Sequence, residues 1–362
     1  MQPDITKVLI IGGGLSGLSL AYWLSCKNPE IQITILESRK EYRQDKHWGF
    51  WNKKNTDEHL MPFQEIICSS FDSWKVGGSI SESSIYNYSI IKSLDFYNFV
   101  KNKINGEIIL DCPFTENLST KEFDLIFDSR NPQNIESEIL QQFYGWEIEL
   151  SQDNIDFTTL ALMDFGCEEL DSAITFYYLV PLTNKKILIE PTAFTKKKID
   201  KEWFQMQFDK FIKKNNILDF NIVNEESGIL PMDYKFYNVK SEYYPLGIRS
   251  GWLRASSGYC FERTQYFSYL ISHDVSKFNY SKDSKPTLPK QEYSFLVKQL
   301  DRIFLNVLKT NINLTPEIIE NWFEELDSDR LVKFLAGLPS NSDLLNLISK
   351  TKHKSLFLKN IL

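Results

Sequence analysis

The sequence lacks the features that define several classes of protein. Its five cysteines are scattered without a CxxC pair, and its four histidines form no HxxxH pair, so we expect neither a disulfide framework nor a metal site. The net charge of −7 provides no basic field for nucleic acid. No segment reaches the roughly 18 consecutive apolar residues of a membrane span. These absences favour a reduced, cytoplasmic protein that does not bind nucleic acid.

What the chain does contain is enough apolar residues for a sizeable core. Its 362 residues are 42% hydrophobic and 25% charged, which suits two domains or one large discontinuous domain. Aromatic side chains are abundant, with 26 Phe, 17 Tyr and 8 Trp. Either a biased genome composition or an apolar pocket with aromatic walls explains this abundance, and composition alone leaves both explanations open.

A dinucleotide-binding fingerprint occupies the first forty residues. "KVLIIGGGLSGLSLAYWL" predicts a strand, a glycine turn and a helix, and a second strand at 31–36 leads into Glu37. The G-x-G-x-x-G motif is specific in this strand–turn–helix context. Gly12 permits the turn, Gly14 lets the backbone approach a pyrophosphate, and Gly17 allows close helix packing. Glu37 is placed to accept the ribose hydroxyls.

The fingerprint alone does not distinguish FAD from NAD. The fingerprint lies ahead of a long chain of mixed helices and strands. This order favours FAD over NAD, because it is typical of FAD enzymes in which a substrate domain is inserted between nucleotide-binding segments. The argument is an analogy between folds.

The rest of the chain alternates between helical and strand periodicity. Between about 140 and 194, strand patterns predict one antiparallel sheet with a hairpin turn at 182–186. Thr315 is a candidate N-cap in front of Pro316. Helical patterns are found at 92–104, 198–216, 262–273 and from 290 onward.

We therefore predict an α/β fold, in which a Rossmann-type FAD-binding domain carries an inserted antiparallel-sheet substrate domain and a helical C-terminus. The predicted FAD-binding domain is discontinuous, comprising 1–135 and 240–275. The substrate domain is predicted at 136–239 and the helical region at 276–362.

One strand has an acid where its apolar run stops. In "KILIEPTAF" the apolar residues 187–189 precede Glu190, and Pro191 follows. An ionised carboxylate is costly to bury unless it is paired, so the simplest interpretation is a strand end whose carboxylate points into water. Pro191 fixes its own φ and favours an extended backbone at Glu190.

Taken together, these elements resemble the flavoprotein lycopene cyclases of bacteria. The resemblance covers nearly the whole chain and rests on "GGGLSGLSLA", "KHWGFW", "FDLIFDSR", "QQFYGWEIEL", "YYLVPLTNKKILIEPTAF", "LGIRSGWLRASSGY" and "DRLVKFLAGL", in that order. It implies an FAD-dependent isomerase of carotenoid biosynthesis that cyclises the end group of a polyene without net redox change. It also implies that FAD acts in its reduced form, with NAD(P)H as an external reductant.

The resemblance further implies which residues act. Glu190 takes the position of the family's acid, and the loop with Gly247, Gly251 and Gly258 is similar to the loop that reaches back to the flavin. The implied reaction needs an acid kept neutral by apolar surroundings. It also needs aromatic faces that stabilise a cation and the exclusion of water.

Three positions depart from the family's usual residues, which places the substrate in question. Pro191 stands where Asp is usual, 254–256 is Arg-Ala-Ser where His-Pro-Thr is common, and Gly49 replaces Ser or Cys.

Four further residues have two interpretations each. Trp48, Phe50 and Trp51 either stabilise the cation or pack in the core. Asp164 is either a second acid or a turn residue at a strand end, and we favour the turn.

Other functions remain open on the sequence. The main alternative is a flavin-dependent oxidoreductase or cyclase of another apolar metabolite, and a non-catalytic flavin-binding module is a further class. Aromatic hydroxylases and halogenases are disfavoured, because "PLGIRSG" lacks Gly-Asp and the chain has no Trp-x-Trp-x-Ile-Pro run.

A polyene substrate dissolves in the bilayer, so we expect peripheral association with the inner membrane face. The C-terminal stretch 344–362 mixes Leu, Ile and Phe with Lys, as interfacial helices do. A packed terminal helix is the competing interpretation.

Overall fold

The computed structural model describes residues 6–131, 137–152, 158–232, 243–275 and 295–360. In chain order, the strands of these residues are β1 (Lys7–Ile11), β2 (Gln32–Leu36), β3 (His47–Lys53), β4 (Ile67–Phe71), β5 (Ser73–Val76), β6 (Ser79–Glu82), β7 (Tyr86–Lys92), β8 (Gly106–Ile109), β9 (Leu125–Asp128), β10 (Leu140–Leu150), β11 (Leu160–Asp164), β12 (Ala173–Pro181), β13 (Lys186–Thr195), β14 (Phe220–Pro231) and β15 (Tyr244–Pro245). The α-helices are α1 (Leu15–Lys27), α2 (Ser93–Lys101), α3 (Lys201–Lys214), α4 (Phe261–Asp274), α5 (Phe295–Thr310), α6 (Thr315–Glu325), α7 (Ser328–Leu335), α8 (Asn341–Lys350) and α9 (Lys354–Lys359).

A five-stranded parallel sheet has the spatial order β15-β9-β1-β2-β8. Its central strand β1 is buried from Val8 to Ile11, as expected for a parallel strand covered on both faces. The helix α1 connects β1 to β2 and packs against α4. This crossover places the start of α1 at the carboxyl end of β1, where open α/β sheets bind their ligands.

A seven-stranded sheet with the order β14-β10-β13-β12-β11-β5-β6 forms the second unit of the fold. It is antiparallel except that β5 runs parallel to β11. Successive side chains of β13 point to opposite faces: Leu188 packs with the C-terminal helices, and Ile189 packs with α3. Glu190, two residues after Leu188, therefore faces the side of the C-terminal helices.

A small antiparallel sheet, β3-β7-β4, completes the strands. The sequence patterns did not predict it, nor the neighbouring hairpin of β5 and β6. The predicted domain bounds stay a prediction, but 73–82, which we placed in the FAD-binding domain, pairs into the seven-stranded sheet.

The predicted fold class is confirmed, with its parallel sheet, its largely antiparallel second sheet and its helical C-terminus. The helices predicted at 92–104, 198–216 and 262–273 are α2, α3 and α4. The tail is helical from α5 onward, and its predicted start at 290 lies outside the described residues.

The prediction that the core strand ends at Glu190 is wrong. β13 continues through Pro191 to Thr195. Its register with β12 is unbroken, with Pro191 opposite Tyr177, whereas its pairing with β10 is interrupted at Glu190 and Pro191. Because proline has no N–H to donate, the interruption falls where a ladder hydrogen bond would be lost. Glu190 is therefore a mid-strand residue of a central strand.

Candidate active site

The glycine fingerprint forms a tight turn after β1. Gly12 has φ +98°, which an L side chain rarely adopts. A Cβ on Gly17 would lie 2.0 Å from the Gly12 carbonyl oxygen, so the helix packs on the turn at a distance only glycine permits. A Cβ on Gly14 would meet nothing within 4 Å. Packing within the protein therefore requires Gly12 and Gly17 but not Gly14.

The N-terminus of α1 is suited to an anion. Its N-cap, Gly14, makes no side-chain hydrogen bond, and its first turn contains no acidic residue. The first amides of a helix need partners from outside it, and Gly14, Leu15 and Ser16 line a large cavity. A phosphate is the kind of ligand that such a helix end binds.

Glu37 holds the glycine turn in place. Its carboxylate accepts hydrogen bonds from the backbone N–H of Gly13 and of Arg39, both at 2.8 Å, and from the Arg39 guanidinium at 3.1 Å. Burial alone would raise the pKa of Glu37, but the hydrogen bonds from Arg39 and Gly13 outweigh it and hold that pKa below its usual value. Glu37 is therefore a buried, ionised residue beside the turn, and its role toward ribose stays a prediction.

The second glycine loop approaches the first. Gly247, Gly251 and Gly258 have φ of +61°, +73° and +72°, so each adopts the left-handed conformation that favours glycine. A Cβ on Gly247 would lie 2.5 Å from Ser16 Oγ. Gly247 and Gly258 line the same cavity as the first loop.

One cavity of about 590 Å³ extends from these two loops to the middle of β13. This is a typical volume for a small-molecule site. Polar side chains that line it near β13 include Lys46, His47, Glu190, Thr192 and Glu226. Its apolar wall comes from the sheet and the C-terminal helices, through Val76, Leu162, Phe176, Phe194, Phe304, Ile319, Trp322 and Phe334.

Glu190 is buried in this wall, with 6% of its surface exposed. Thr192 Oγ1 donates to Glu190 Oε1 at 3.4 Å, and Tyr178 lies opposite Glu190 on β12. Burial, and after it the nearby carboxylate of Glu226, raises the pKa of Glu190 well above its usual value. A carboxyl group in this setting keeps its proton near neutral pH, so the interpretation that Glu190 points into water is wrong.

A second buried glutamate, Glu226 on β14, lies beside Glu190. Gly145 of β10 pairs with Glu226, and a Cβ on Gly145 would come within 3.2 Å of both Glu190 Oε2 and Glu226 Cγ. His47 Nδ1 lies 2.6 Å from Glu226 Oε2, and His47 Nε2 lies 3.4 Å from Glu147 Oε2. The carboxyl groups of Glu190 and Glu226 thus lie side by side, and the imidazole of His47 contacts the carboxyl group of Glu226.

The charged groups around His47 stabilise one another's ionised forms. Burial alone would lower the pKa of His47, but the nearby carboxyl groups of Glu147 and Glu226 raise that pKa to about 9. Burial alone would raise the pKa of Glu147, but His47 and Lys92 lower it to about 2. Lys92 Nζ donates to Glu147 Oε1 at 2.8 Å. At neutral pH His47 is therefore an imidazolium ion that contacts Glu147 and Glu226.

Three tyrosines line the cavity: Tyr88, which is buried, and Tyr178 and Tyr259, which are partly buried. Tyr178 Oη donates to Tyr88 Oη at 3.2 Å, and the rings of Tyr88 and Tyr259 lie 5.9 Å apart. A Cβ on Gly49 would lie 2.1 Å from Tyr88 Oη. The absence of a side chain at Gly49 therefore makes room for the Tyr88 hydroxyl, which explains this departure from the family's usual residue.

The other residues with two interpretations separate clearly. Trp48 lines the cavity, whereas Phe50 and Trp51 are buried in the two main cores. Asp164 Oδ1 accepts a hydrogen bond from the Gly166 amide at 2.9 Å, so Asp164 is the turn residue that we favoured.

Arg254 anchors the second loop instead of lining the cavity. It is fully buried and makes two hydrogen bonds of 2.9 Å to Asp301 on α5. A third, of 2.6 Å, joins it to the Phe334 carbonyl oxygen on α7. The Arg-Ala-Ser departure thus ties the loop to the C-terminal helices, while Ser256 faces the cavity.

Glu226, His47 and Glu147 were not among the residues predicted from the sequence. They stand 79 to 179 residues from one another along the chain, as 226 − 147 and 226 − 47 show. The sequence could have pointed to them only as charged residues whose side chains face the inside of a sheet. Which side chains face inward is known only once the sheet register is known. Within the described residues, no cluster of three or more His, Cys, Asp or Glu side chains could hold a metal ion.

Several solved structures have a similar fold. A geranylgeranyl bacteriochlorophyll reductase-like protein from Thermoplasma acidophilum is 12% identical, with a TM-score of 0.60 over 99% of this chain and 100% of that one. A flavoprotein/dehydrogenase from Cytophaga hutchinsonii is 10% identical, with a TM-score of 0.59 over 98% and 99%. A mutant of the halogenase PltM in complex with FAD is 11% identical, with a TM-score of 0.56 over 96% and 90%.

The parallel sheet and its glycine turn define a Rossmann-type fold, and the solved structures similar to it include one in complex with FAD. The family model described as "Lycopene cyclase protein" matches residues 111–359, more than half of the chain. The chain therefore belongs to the lycopene cyclase protein family, which confirms the resemblance found in the sequence. None of the curated proteins matches it.

Proposed function

We propose that this protein is an FAD-dependent, redox-neutral cyclase that acts on the end group of a carotenoid-like polyene. One observation carries the proposal: Glu190, a buried carboxyl group whose surroundings keep its proton on, opens onto an apolar cavity continuous with the dinucleotide loops. Family membership supports the substrate class.

The residues present fit FAD. The N-terminus of α1 would hold the pyrophosphate above Gly14, where a Cβ meets no protein atom. Glu37 would take the ribose by exchanging its longest hydrogen bond, 3.3 Å from Ser38 Oγ, for a ribose hydroxyl. The loop 247–258 would contact the flavin ring, and bound FAD in its reduced form supplies negative charge that stabilises a cation. NAD(P)H would serve only to keep the flavin reduced.

Glu190 supplies the proton that starts the reaction. The proton moves from its carboxyl group to a terminal carbon–carbon double bond, whose π electrons form the new C–H bond and leave a cation on the neighbouring carbon. An internal double bond attacks this cation and closes the ring, and a proton then leaves. The product therefore has the mass of the substrate.

The walls of the cavity protect the cation until the proton leaves. Tyr88, which is buried, and Tyr178 and Tyr259, which are partly buried, line the cavity and offer aromatic faces that attract positive charge. The apolar side chains of α5, α6 and α7 close the other side and exclude water, which would trap the cation as an alcohol.

A surface feature supports binding to a membrane, where such a polyene is dissolved. Leu345 and Ile348 on α8 are 68% and 44% exposed, and Leu358 on α9 is 60% exposed. Lys350 and Lys354 stand at adjoining helix ends. This combination suits a helix pair lying on an anionic lipid surface. None of the described helices is long and apolar enough to cross a bilayer.

The decisive experiment is mass spectrometry of lipid extracts from lycopene-producing cells with and without this protein. We expect a cyclic product with the mass of lycopene, formed by the wild type and not by Glu190→Gln. Stoichiometric consumption of NAD(P)H or oxygen, with a product of altered mass, would instead identify an oxidoreductase of an apolar metabolite.

A further inference from the structure

Two carboxyl groups line the cavity where it reaches the middle of β13. Glu190 and Glu226 flank the same point of Gly145, since a Cβ there would lie 3.2 Å from Glu190 Oε2 and from Glu226 Cγ. Both line the cavity, and they are 6% and 5% exposed. Two carboxylates this close in a dry site cannot both be ionised at low cost, so such a pair shares one proton.

The surroundings decide which carboxyl group holds that proton. His47 Nδ1 is 2.6 Å from Glu226 Oε2, whereas Glu190 has a hydroxyl partner, Thr192 Oγ1, at 3.4 Å. An imidazolium stabilises the neighbouring carboxylate far more than a hydroxyl group does. Glu226 is therefore the ionised member and Glu190 the protonated one.

The buried charges of the cluster have partners of opposite sign in this state. His47 contacts Glu226 and Glu147, Lys92 contacts Glu147, and Glu190 is neutral. This pairing avoids the cost of an uncompensated charge in the interior.

The ionisable groups that face the pair come from every neighbouring element: Glu147 on β10, Tyr178 on β12, His47 on β3, Tyr88 and Lys92 on β7, and Lys46 just before β3.

Resting on the proposed function, we propose that Glu226 is the base that removes the proton from the cyclised cation and then passes it to Glu190. His47 is the positioning residue that keeps Glu226 ionised for this task. The sequence motifs assigned no role to either residue.

The proton balance closes within the pair. Glu190 gives its proton to the substrate and becomes a carboxylate. Glu226 takes a proton from a ring carbon, and the electrons of that C–H bond form the ring double bond. The proton then passes from Glu226 to Glu190, which restores the starting state. No oxidant, reductant or external proton is consumed, in accord with an isomerisation.

The first test is Glu226→Gln, with Glu225→Gln as its matched control. Glu225 is the preceding residue of β14, and its carboxylate binds Tyr144 and Lys201 at the surface. We expect Glu226→Gln to lower the cyclisation rate by roughly 10²–10⁴-fold, the usual effect of losing an acid or base, with FAD still bound. Glu226→Asp keeps a carboxylate and should recover part of the rate, and Glu225→Gln should match the wild type.

The products provide a second readout that a structural role would not alter. Without its base, the cyclised cation survives longer, so the Glu226→Gln products should include rings with a displaced double bond or water adducts one water heavier than lycopene. A near wild-type rate with a single ring product would overturn the role of Glu226. If Glu226→Gln is active but Glu190→Gln is inactive in the same assay, only the role of Glu226 is overturned and the proposed function stands. A wild type that cyclises no polyene overturns both the proposed function and the role of Glu226.

The second test separates positioning by His47 from mere packing. In His47→Gln the pair loses the imidazolium and binds a second proton at higher pH, so the acidic limb of the rate–pH profile should move to higher pH. Activity should then be lost mainly on the acidic side and approach that of the wild type as pH rises. An equal fractional loss at every pH would show that His47 only supports packing and would overturn its assignment.

Discussion

Two buried glutamates show that local partners decide protonation at the scale of single residues. Glu37 and Glu190 are 4% and 6% exposed, so burial disfavours both carboxylates. Glu37 accepts two backbone N–H bonds and a guanidinium, which lower its pKa. Glu190 has Glu226 for a neighbour, and its pKa rises. One residue can thus bind as an anion while the other serves as an acid.

Replacing Glu190 by Gln tests this assignment directly. The amide retains the size and hydrogen bonding of the side chain but has no proton to give, so cyclisation should fall by at least the roughly 10²–10⁴-fold that general acids contribute. The flavin absorbance of the purified variant should equal that of the wild type, because Glu190 belongs to β13 and not to either glycine loop. Cyclisation at near wild-type rate would show that Glu190 is a structural residue only.

His47 should make the stability of the protein depend on pH. Its pKa is raised from 6.5 to about 9 in the folded state, so the stabilisation is fully present below pH 6.5 and is lost as pH rises through about 9. At about 1.4 kcal/mol per pKa unit, the free energy of unfolding should fall by up to about 3 kcal/mol over this interval.

Urea unfolding at pH 6 and pH 9 measures this difference. The His47→Gln variant, which has no group to titrate at this position, should lose less stability over the same interval. Equal losses in the two proteins would contradict the raised pKa of His47.

Among the secondary-structure elements, the glycine turn separates packing from ligand binding. Gly14 has an extended backbone with φ −81° and room for a side chain. The variant Gly14→Val should therefore fold but purify without FAD, because the new side chain occupies the path of the pyrophosphate. Absorbance of the flavin and circular dichroism together check this expectation.

Gly17→Ala is the contrasting variant. Its Cβ would lie 2.0 Å from the Gly12 carbonyl oxygen, so α1 must move away from the turn and the whole protein should be destabilised.

A Gly14→Val protein that retains yellow flavin would contradict the assignment of the pyrophosphate site.

The elements that the sequence predicted are those with strong local periodicity. β1, α1 and the β12–β13 hairpin each carry an apolar pattern bounded by turn residues, which local physics suffices to interpret. The short strands of 47–92 have mixed patterns and gain their pairing from the fold. The N-cap prediction was wrong by one residue: α6 starts at Thr315, its N-cap is Leu314, and Thr315 Oγ1 donates to the Asn311 carbonyl oxygen instead.

The residues of the candidate site also divide into those that local sequence could predict and those that it could not. The glycine turn was predictable because its residues are neighbours in the sequence. Glu190 was singled out by its apolar strand, although its mid-strand position was not predicted. Glu226 and His47 meet only through the packing of β14 against β10 and of β3 beside them, so no local pattern could have paired them.

At the scale of the whole molecule, the C-terminal helices close the cavity and are bound to the second glycine loop. Arg254 joins the loop to Asp301 on α5 and to the Phe334 carbonyl oxygen on α7. Removing one partner of a buried ion pair costs about 3–5 kcal/mol. Arg254→Ala should therefore lower the midpoint of urea unfolding strongly, and loosened helices should also increase the fraction of water-trapped product. Unchanged stability would show that the helices dock without this pair.

The same helices carry the surface that we expect to meet the membrane. Deleting the tail is a poor test of this, because Leu344 and Leu347 are buried and Trp322 Nε1 donates to Thr351 Oγ1 at 2.9 Å. Changing both Leu345 and Ile348 to Asp leaves the core intact, since neither side chain belongs to the buried core. The double variant should float less with anionic liposomes than the wild type, because burial of apolar area and attraction to the lipid surface are both reduced.

The matched control places the same two changes elsewhere on the surface. Leu218 and Ile222 are 92% and 48% exposed and lie at the far end of the seven-stranded sheet, before and within β14. Asp at both positions alters hydrophobicity and net charge by the same amount, so flotation of this variant should equal that of the wild type. If the two double variants float equally, the helices α8 and α9 are not the membrane-binding surface, and the polyene must enter the cavity by another route.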